Sequence, residues 1–516
     1  MRRPSPLALV LGVATAFTAL PLWSAHYLPL VDLPQHLHLI NVMGHLDDPN
    51  TLYPEIFKPR GQITPYLGYY YAVWLLAKLV GLFAANQLFL TLVAVLTPVS
   101  LAVLLEALGR NPWLSLLACP LFYGDNFYWG FINFCAALPL LFFAMALFVN
   151  TLTLPPDPKY RREILLGLLV VSVQLMHIQA FFFAAIALPL LLAMTPSDKL
   201  RRLRAAGAAL PGALIFAIYS IGRLGDKPDV APGAPWHAWG PILSKQNLSF
   251  NTVEKNWAQL PELLANGFKD NADRPVVTWL VAAALLTIVA SLISKPKEAP
   301  GATWPARLRG VALAALALVM FLYLPFDIRG YIYYLNFRFA ELFALLVIVA
   351  LPFPGTQGLR LAVVAASVSI AVVYGMTLAS HFHDFDREAN AIDAITHAVP
   401  QKAKIAALSF DTNSAIALHP VYLHIASYPA LERGGITSFS FASTPHSPLA
   451  YQRNPPPAPA SEWYADGFDY RTYGAYYDVF LVRGKVPAQR VFHGDDSQYS
   501  IAAQSGAFTL YRRATP

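Results

Sequence analysis

Leu88-Phe89-Leu90-Thr91-Leu92-Val93-Ala94-Val95-Leu96-Thr97-Pro98-Val99-Ser100-Leu101-Ala102-Val103-Leu104-Leu105 contains no charged side chain. A bilayer core takes about 20 residues of helix to cross, and the apolar run around this stretch, 87–107, has that length. Comparable runs lie at 7–23, 66–83, 113–123, 131–152, 163–176, 178–195, 205–222, 275–294, 307–324, 338–353 and 359–379. The fold class that follows is mainly α, a polytopic transmembrane helical bundle. Composition agrees. Of 516 residues 56% are hydrophobic and 13% charged, whereas a soluble protein carries roughly 25% charged residues. The net charge of +7 sits mostly in short loops, so no nucleic-acid partner is expected. Cys119 and Cys135 lie in or beside apolar runs and define no disulfide framework.

Basic loops orient the bundle. Lys159, Arg161 and Arg162 mark one cytoplasmic loop; Lys199, Arg201, Arg202 and Arg204 mark another; Lys295, Lys297, Arg307 and Arg309 mark a third. Residues 223–274, 325–337 and the chain after Ala379 then lie outside. Arg2 and Arg3 put the N-terminus inside, with 7–23 read as a first span; cleavage after Ala25, as in a signal peptide, is the alternative. Twelve full crossings would place both ends on one side, which contradicts this assignment. One run between 66 and 152 therefore does not cross. Run 66–83, rich in Tyr and with Trp74 and Lys78, suits the interface; the short run 113–123, broken by Pro120, is the other candidate. About eleven crossings plus one partial element are expected.

Residues 1–379 read as the transmembrane domain, with outer loops 24–65 and 223–274. Residues 380–516 read as a small α/β domain on the outer face, with a helix over 386–399 and strands at 404–410, 477–482 and 508–512.

The first outer loop holds Asp32, Pro34, His36 and His38. Asp32 fits the N-cap of a helix begun by Pro34, and His36 lies four residues on, on the same face. A carboxylate beside an imidazole at the lipid interface is a general-base arrangement. A plain cap with headgroup-facing histidines is the structural alternative. A metal site from Asp32, His36 and His38 matches no zinc spacing, so no metal ligand is assigned.

A second cluster, Phe122-Tyr123-Gly124-Asp125-Asn126-Phe127-Tyr128-Trp129-Gly130, breaks an apolar stretch. Irregular backbone at that depth lines a cavity or is buried in protein. Asp125, Tyr128 and Trp129 are its candidates for catalysis and substrate contact; an aromatic interfacial loop is the alternative. His177, between two apolar runs, is a cavity-lining candidate or a satisfied structural histidine. Arg338 and Arg329 lie in the last outer loop, and a guanidinium matches a phosphate bidentately. Arg338 with Glu341 as an i,i+3 pair is the structural alternative. The long loop 223–274 adds Trp236, Trp239 and Trp257, whose faces suit sugar rings. His381-Phe382-His383-Asp384 reads as a linker rather than a metal site.

An acidic residue directly after the first span, an outer loop with surface helices, many spans and a C-terminal outer domain resemble the C-type glycosyltransferase superfamily. That group includes protein mannosyltransferases, aminoarabinose transferases and bacterial relatives using polyprenyl-phosphate sugars. Lys78-Leu79-Val80-Gly81-Leu82-Phe83, then Asn86-Gln87-Leu88, is similar to that family's second hydrophobic region. The resemblance implies an enzyme of the plasma membrane (the inner membrane of a bacterium) with its site on the outer face. It implies Asp32 as catalytic base or metal-site carboxylate, Asp125 as the second acid, and Arg338 or Arg329 at the donor phosphate. No second acid follows Asp125, so the family's acidic pair is absent and a divalent metal is left open. The implied partners are a polyprenyl-phosphate-linked sugar, an acceptor glycan, lipid or protein, and membrane lipids. The implied reaction is an inverting transfer. A lipid-linked glycan transporter and a non-catalytic envelope assembly protein are the competing classes. A transporter would show paired repeats and midplane charges, and neither is evident here.

Overall fold

The computed structural model describes residues 5–222, 245–294, 304–328, 332–459, 461–494 and 496–513. Arg329, Trp236 and Trp239 fall outside them.

Among the described residues, seven helices are long and apolar enough to cross a membrane: Pro6–Trp23, Leu82–Ala107, Ile132–Thr153, Lys199–Ile221, Pro275–Ser294, Trp304–Tyr323 and the long helix from Gln357. The shorter helices Arg161–Met176, Ile178–Met194 and Arg338–Ala350 complete the bundle. Ser5 caps the first helix by accepting from the Ala8 amide, with Pro6 in its first turn. Inside the apolar helices, Thr15, Thr18, Thr97 and Ser367 return their hydroxyls to carbonyls four residues back, so burial leaves none of these hydroxyls unsatisfied.

The two ambiguous runs resolve by where their ends lie. Helix Leu67–Val80 begins beside Tyr66, whose ring meets His177, and ends next to Phe83, which packs on His26 just past the first span. Both of its ends lie at one end of the bundle, so run 66–83 is the partial element. Run 113–123 crosses, but not as an α-helix. Arg110 binds the Val349 and Ala350 carbonyls at the far end. At the other end, Tyr123 bonds to the Thr18 carbonyl and Asp125 meets His419. Between them lie two 3-10 helices, Pro112–Ala118 and Pro120–Tyr123. At about 2 Å per residue this form covers roughly 24 Å in twelve residues, so a run too short for an α-helical span suffices. Its core, Leu114 to Tyr123, is buried, and protein replaces lipid around the weaker hydrogen-bond ladder.

Helix Gln357–Ala389 runs through position 379 into the C-terminal unit and is followed by helix Ala391–Ala398. The unit is built on a five-stranded sheet in the order 436–437, 404–409, 479–483, 508–513, 499–505. The first three strands are parallel and the last two antiparallel. The unit is clamped to the first loop. Strand Phe57–Pro59 pairs antiparallel with Leu449–Tyr451, and the Asp386 carboxylate accepts from the His26 and Tyr27 amides. Helix Leu33–Gly44 is the wedge between bundle and unit. Gln35 bonds to Ser427 and to Phe439 and Phe441 backbone, His38 to the Gly435 carbonyl, and Asn41 to the Leu431 carbonyl.

Candidate active site

Asp32 is held by its backbone. The Val31 and Asp32 amides donate to the Tyr128 and Trp129 carbonyls at 2.9 and 3.2 Å. Segment 31–32 thus lies along the end of the short helix Asp125–Trp129, and two acids 93 positions apart in the chain are brought to one place. Gly130 makes this approach possible. Its φ of +82° ends the short helix, and a Cβ there would sit 3.0 Å from both the Asp32 Cβ and amide nitrogen. Asp32 occupies the N-cap position of helix Leu33–Gly44, yet its side chain makes no capping bond. The carboxylate is therefore not committed to the structural role expected of a cap.

His36 does not pair with Asp32. Its Nδ1 meets the Tyr70 hydroxyl at 2.7 Å and its Nε2 the Gly130 carbonyl at 3.2 Å, so both ring nitrogens are taken. Burial pushes its pKa down to about 4, which makes it a neutral strut rather than a base. The imidazole facing Asp32 is His424, whose Nε2 stands 3.6 Å from Oδ1, just beyond hydrogen-bond length. His424 is 5% exposed, lies against Phe439, and burial pushes its pKa down to about 3. A cavity of about 20 Å³, room for about one water, adjoins it and is lined by Gln35, Ser438 and Glu462 among others.

Burial drives the Asp32 carboxyl up to about 7; the Arg338 charge opposes the rise and Glu462 adds to it. A carboxylate that titrates near neutrality, with 19% of its side chain exposed, is suited to taking a proton.

Asp125 accepts from His419 Nε2 at 2.9 Å and opens onto a separate cavity with Trp129 and Tyr334. Tyr128 is placed otherwise than expected for a substrate contact. Its ring is fully buried against Phe268, Phe382 and His419, and only its carbonyl serves the site. Gly267 leaves the space its ring fills.

Arg338 begins helix Arg338–Ala350 and is 7% exposed. It does not pair with Glu341, which instead accepts from Asn126 at 2.9 Å. Its guanidinium stacks 3.7 Å over Phe131, reaches the Tyr333 carbonyl, and meets His177 Nε2 at 3.1 Å. His177 Nδ1 already accepts the Gln179 amide, and a neutral imidazole accepts at only one nitrogen. Arg338 Nε has no partner, and among the described residues no carboxylate lies within ion-pair distance. Tyr66 and His446 rings extend this group beyond His177.

Among the described residues, no group of three or more His, Cys, Asp or Glu side chains is placed to hold a metal ion. Asp32 and Asp125 each face a histidine and share the field of Arg338.

His419, His424 and Glu462 were not among the sequence candidates. All three come from the C-terminal unit, and no local motif marks them.

No family model and no curated protein matches the chain. Solved structures do. Apo ArnT from Cupriavidus metallidurans superposes with a TM-score of 0.55 at 10% identity, over 98% of this chain and 97% of that one. The same protein bound to undecaprenyl phosphate gives 0.53 over the same shares. The arabinofuranosyltransferase AftD from Mycobacteria gives 0.53 at 13% identity over 99% of this chain, which spans 40% of AftD's length. At such identities the likeness is one of fold. The chain shares the polytopic membrane fold of ArnT, a helical bundle of the kind its sequence led one to expect.

Proposed function

We propose that the protein is a membrane glycosyltransferase that takes a sugar from a polyprenyl-phosphate donor at the outer face of the plasma membrane, the inner membrane of a bacterium. The observation that carries this reading is Arg338: a buried guanidinium with an unpartnered Nε and, among the described residues, no carboxylate within ion-pair distance. Such a group is costly unless an anion completes it, and a phosphate monoester or diester fits its fork. Undecaprenyl phosphate on the similarly folded ArnT supports a lipid-linked phosphate as that anion.

In the reaction, an acceptor hydroxyl oxygen attacks the anomeric carbon of the donor. Its proton passes to the Asp32 carboxylate. The bond from the anomeric carbon to the phosphate oxygen breaks, its electron pair leaving with polyprenyl phosphate, and the anomeric configuration inverts. Arg338 stabilises the charge that grows on the departing phosphate. Phe131 and the Tyr333 carbonyl hold the guanidinium in place until the phosphate arrives. His424, neutral at working pH, stands 3.6 Å from the Asp32 carboxylate and does not compete for the proton.

The test is transfer of radiolabelled sugar from polyprenyl-phosphate donors in membranes containing the protein. Arg338→Ala should abolish transfer and weaken donor binding, and Arg338→Lys should restore only part of it, because lysine lacks the planar fork. Full activity in a correctly inserted Arg338→Ala variant would remove this reading.

A further inference from the structure

We propose that the cavity beside Asp125 is the acceptor subsite and that the acceptor is an uncharged glycan. This rests on the transferase reading and adds the substrate class that reading leaves open. The cavity measures about 230 Å³, space for roughly one sugar ring and part of a second.

Its two sides differ in chemistry. One is aromatic: Trp129 and Tyr334 stand 4.8 Å apart at 33°, with Phe337 beyond them. Tyr334 is held at φ +55°, a backbone conformation that non-glycine residues seldom adopt and that tends to persist where function requires the side chain. The other side is polar, formed by Gln259, Glu262 and Asn266 at the end of helix Val253–Leu264 and just after it. Gln259 Oε1 is buried and has no partner among the described residues. Asp125 joins the two sides.

A pyranose or furanose presents exactly this division, with C–H faces that pack on aromatic rings and hydroxyl edges that bond to amides and carboxylates. An acyl chain would leave the Gln259 Oε1 desolvated and unpaired. The two lining carboxylates, Asp125 and Glu262, already hold His419 and Arg274, and none of the described lining residues is Lys or Arg, so the described lining offers a phosphorylated or uronic-acid acceptor no unpaired cation. Asp125 and Asp32 are tied together through segments 31–32 and 128–129, which links the cavity to the segment that carries the proposed base.

Binding is measured without turnover, by saturation-transfer NMR and calorimetry on the purified full chain in nanodiscs. The ligands are mannotriose, cellotriose, arabinotriose and, as the acidic control, trigalacturonic acid. At least one neutral trisaccharide should bind. Tyr334→Ala and Gln259→Ala should each weaken it about tenfold, and Tyr334→Phe should keep the ring and most of the affinity. The proposal is overturned if no neutral glycan binds, if trigalacturonic acid binds more tightly, or if the cavity variants, with thermal unfolding unchanged, bind as wild type. Failure of the transferase reading appears separately, as absence of sugar transfer from every polyprenyl-phosphate donor while glycan binding persists.

Discussion

Asp32→Asn separates catalysis from structure, because it keeps the shape of the side chain and removes only its charge. In the folded protein burial raises the Asp32 carboxyl from 3.8 to about 7. A group whose folded value is raised favours the fold fully below its unfolded value and loses that contribution as pH rises through the folded one. At about 1.4 kcal/mol per unit, ionising Asp32 costs the fold at most about 4 kcal/mol above pH 7. Asparagine carries no such cost. The variant should therefore match wild type in thermal stability near pH 4, gain on it between pH 4 and 7, and keep the advantage above pH 7. Sugar transfer at pH 8 should fall by about 10²-fold or more, the usual effect of losing a general base. Thermal unfolding in detergent from pH 4 to 8, run beside the transfer assay, reads both effects. An Asn variant that is fully active, or less stable than wild type across the whole range, would refute the reasoning and return Asp32 to a structural role.

Wild-type transfer should rise with pH through about 7 as Asp32 ionises, and Arg338→Lys, with a more strongly hydrated charge at the site, should shift that rise measurably. Gly130→Ala should cost about 1–2 kcal/mol from its left-handed backbone alone, and because a Cβ there meets Asp32, transfer should fall further than stability does. His424→Gln should lower the transfer rate with less effect on apparent donor affinity, since it removes the neighbour of Asp32 and leaves Arg338 in place. Cysteines at Ser249 and Ser461 should react with an impermeant thiol reagent added outside, and one at Ser197 should not; native Cys119 and Cys135 are buried. The reverse labelling pattern would invert the topology.

The membrane architecture was legible because lipid imposes length and polarity on every span. The parity conflict between the two ends of the bundle pointed to one partial element between 66 and 152, and the Tyr, Trp and Lys content of 66–83 made that run the first candidate. The mode of crossing at 113–123 was not legible, since a 3-10 run buried in protein carries no hydropathy signature of its own. Strands at 404–410, 477–482 and 508–512 were readable from β-branched and aromatic residues, and they appear at 404–409, 479–483 and 508–513. In the site, Asp32 and Arg338 stood out as charges at span ends. Spacing suggested His36 as the partner of Asp32, but Tyr70 and the Gly130 carbonyl hold His36, and His424, 392 positions further along, takes that place. Tertiary docking of the C-terminal unit supplies His419, His424 and Glu462, and periodicity within one segment cannot report it.

The most direct measurement is release of free polyprenyl phosphate from a panel of radiolabelled polyprenyl-phosphate sugars by the purified full chain in nanodiscs, with neutral oligosaccharides as acceptors. Labelled sugar should move to the oligosaccharide in step with polyprenyl phosphate release, and both should vanish in Asp32→Asn and Arg338→Ala. Release that is equal in wild type and both variants, or absent with every donor, would contradict the account.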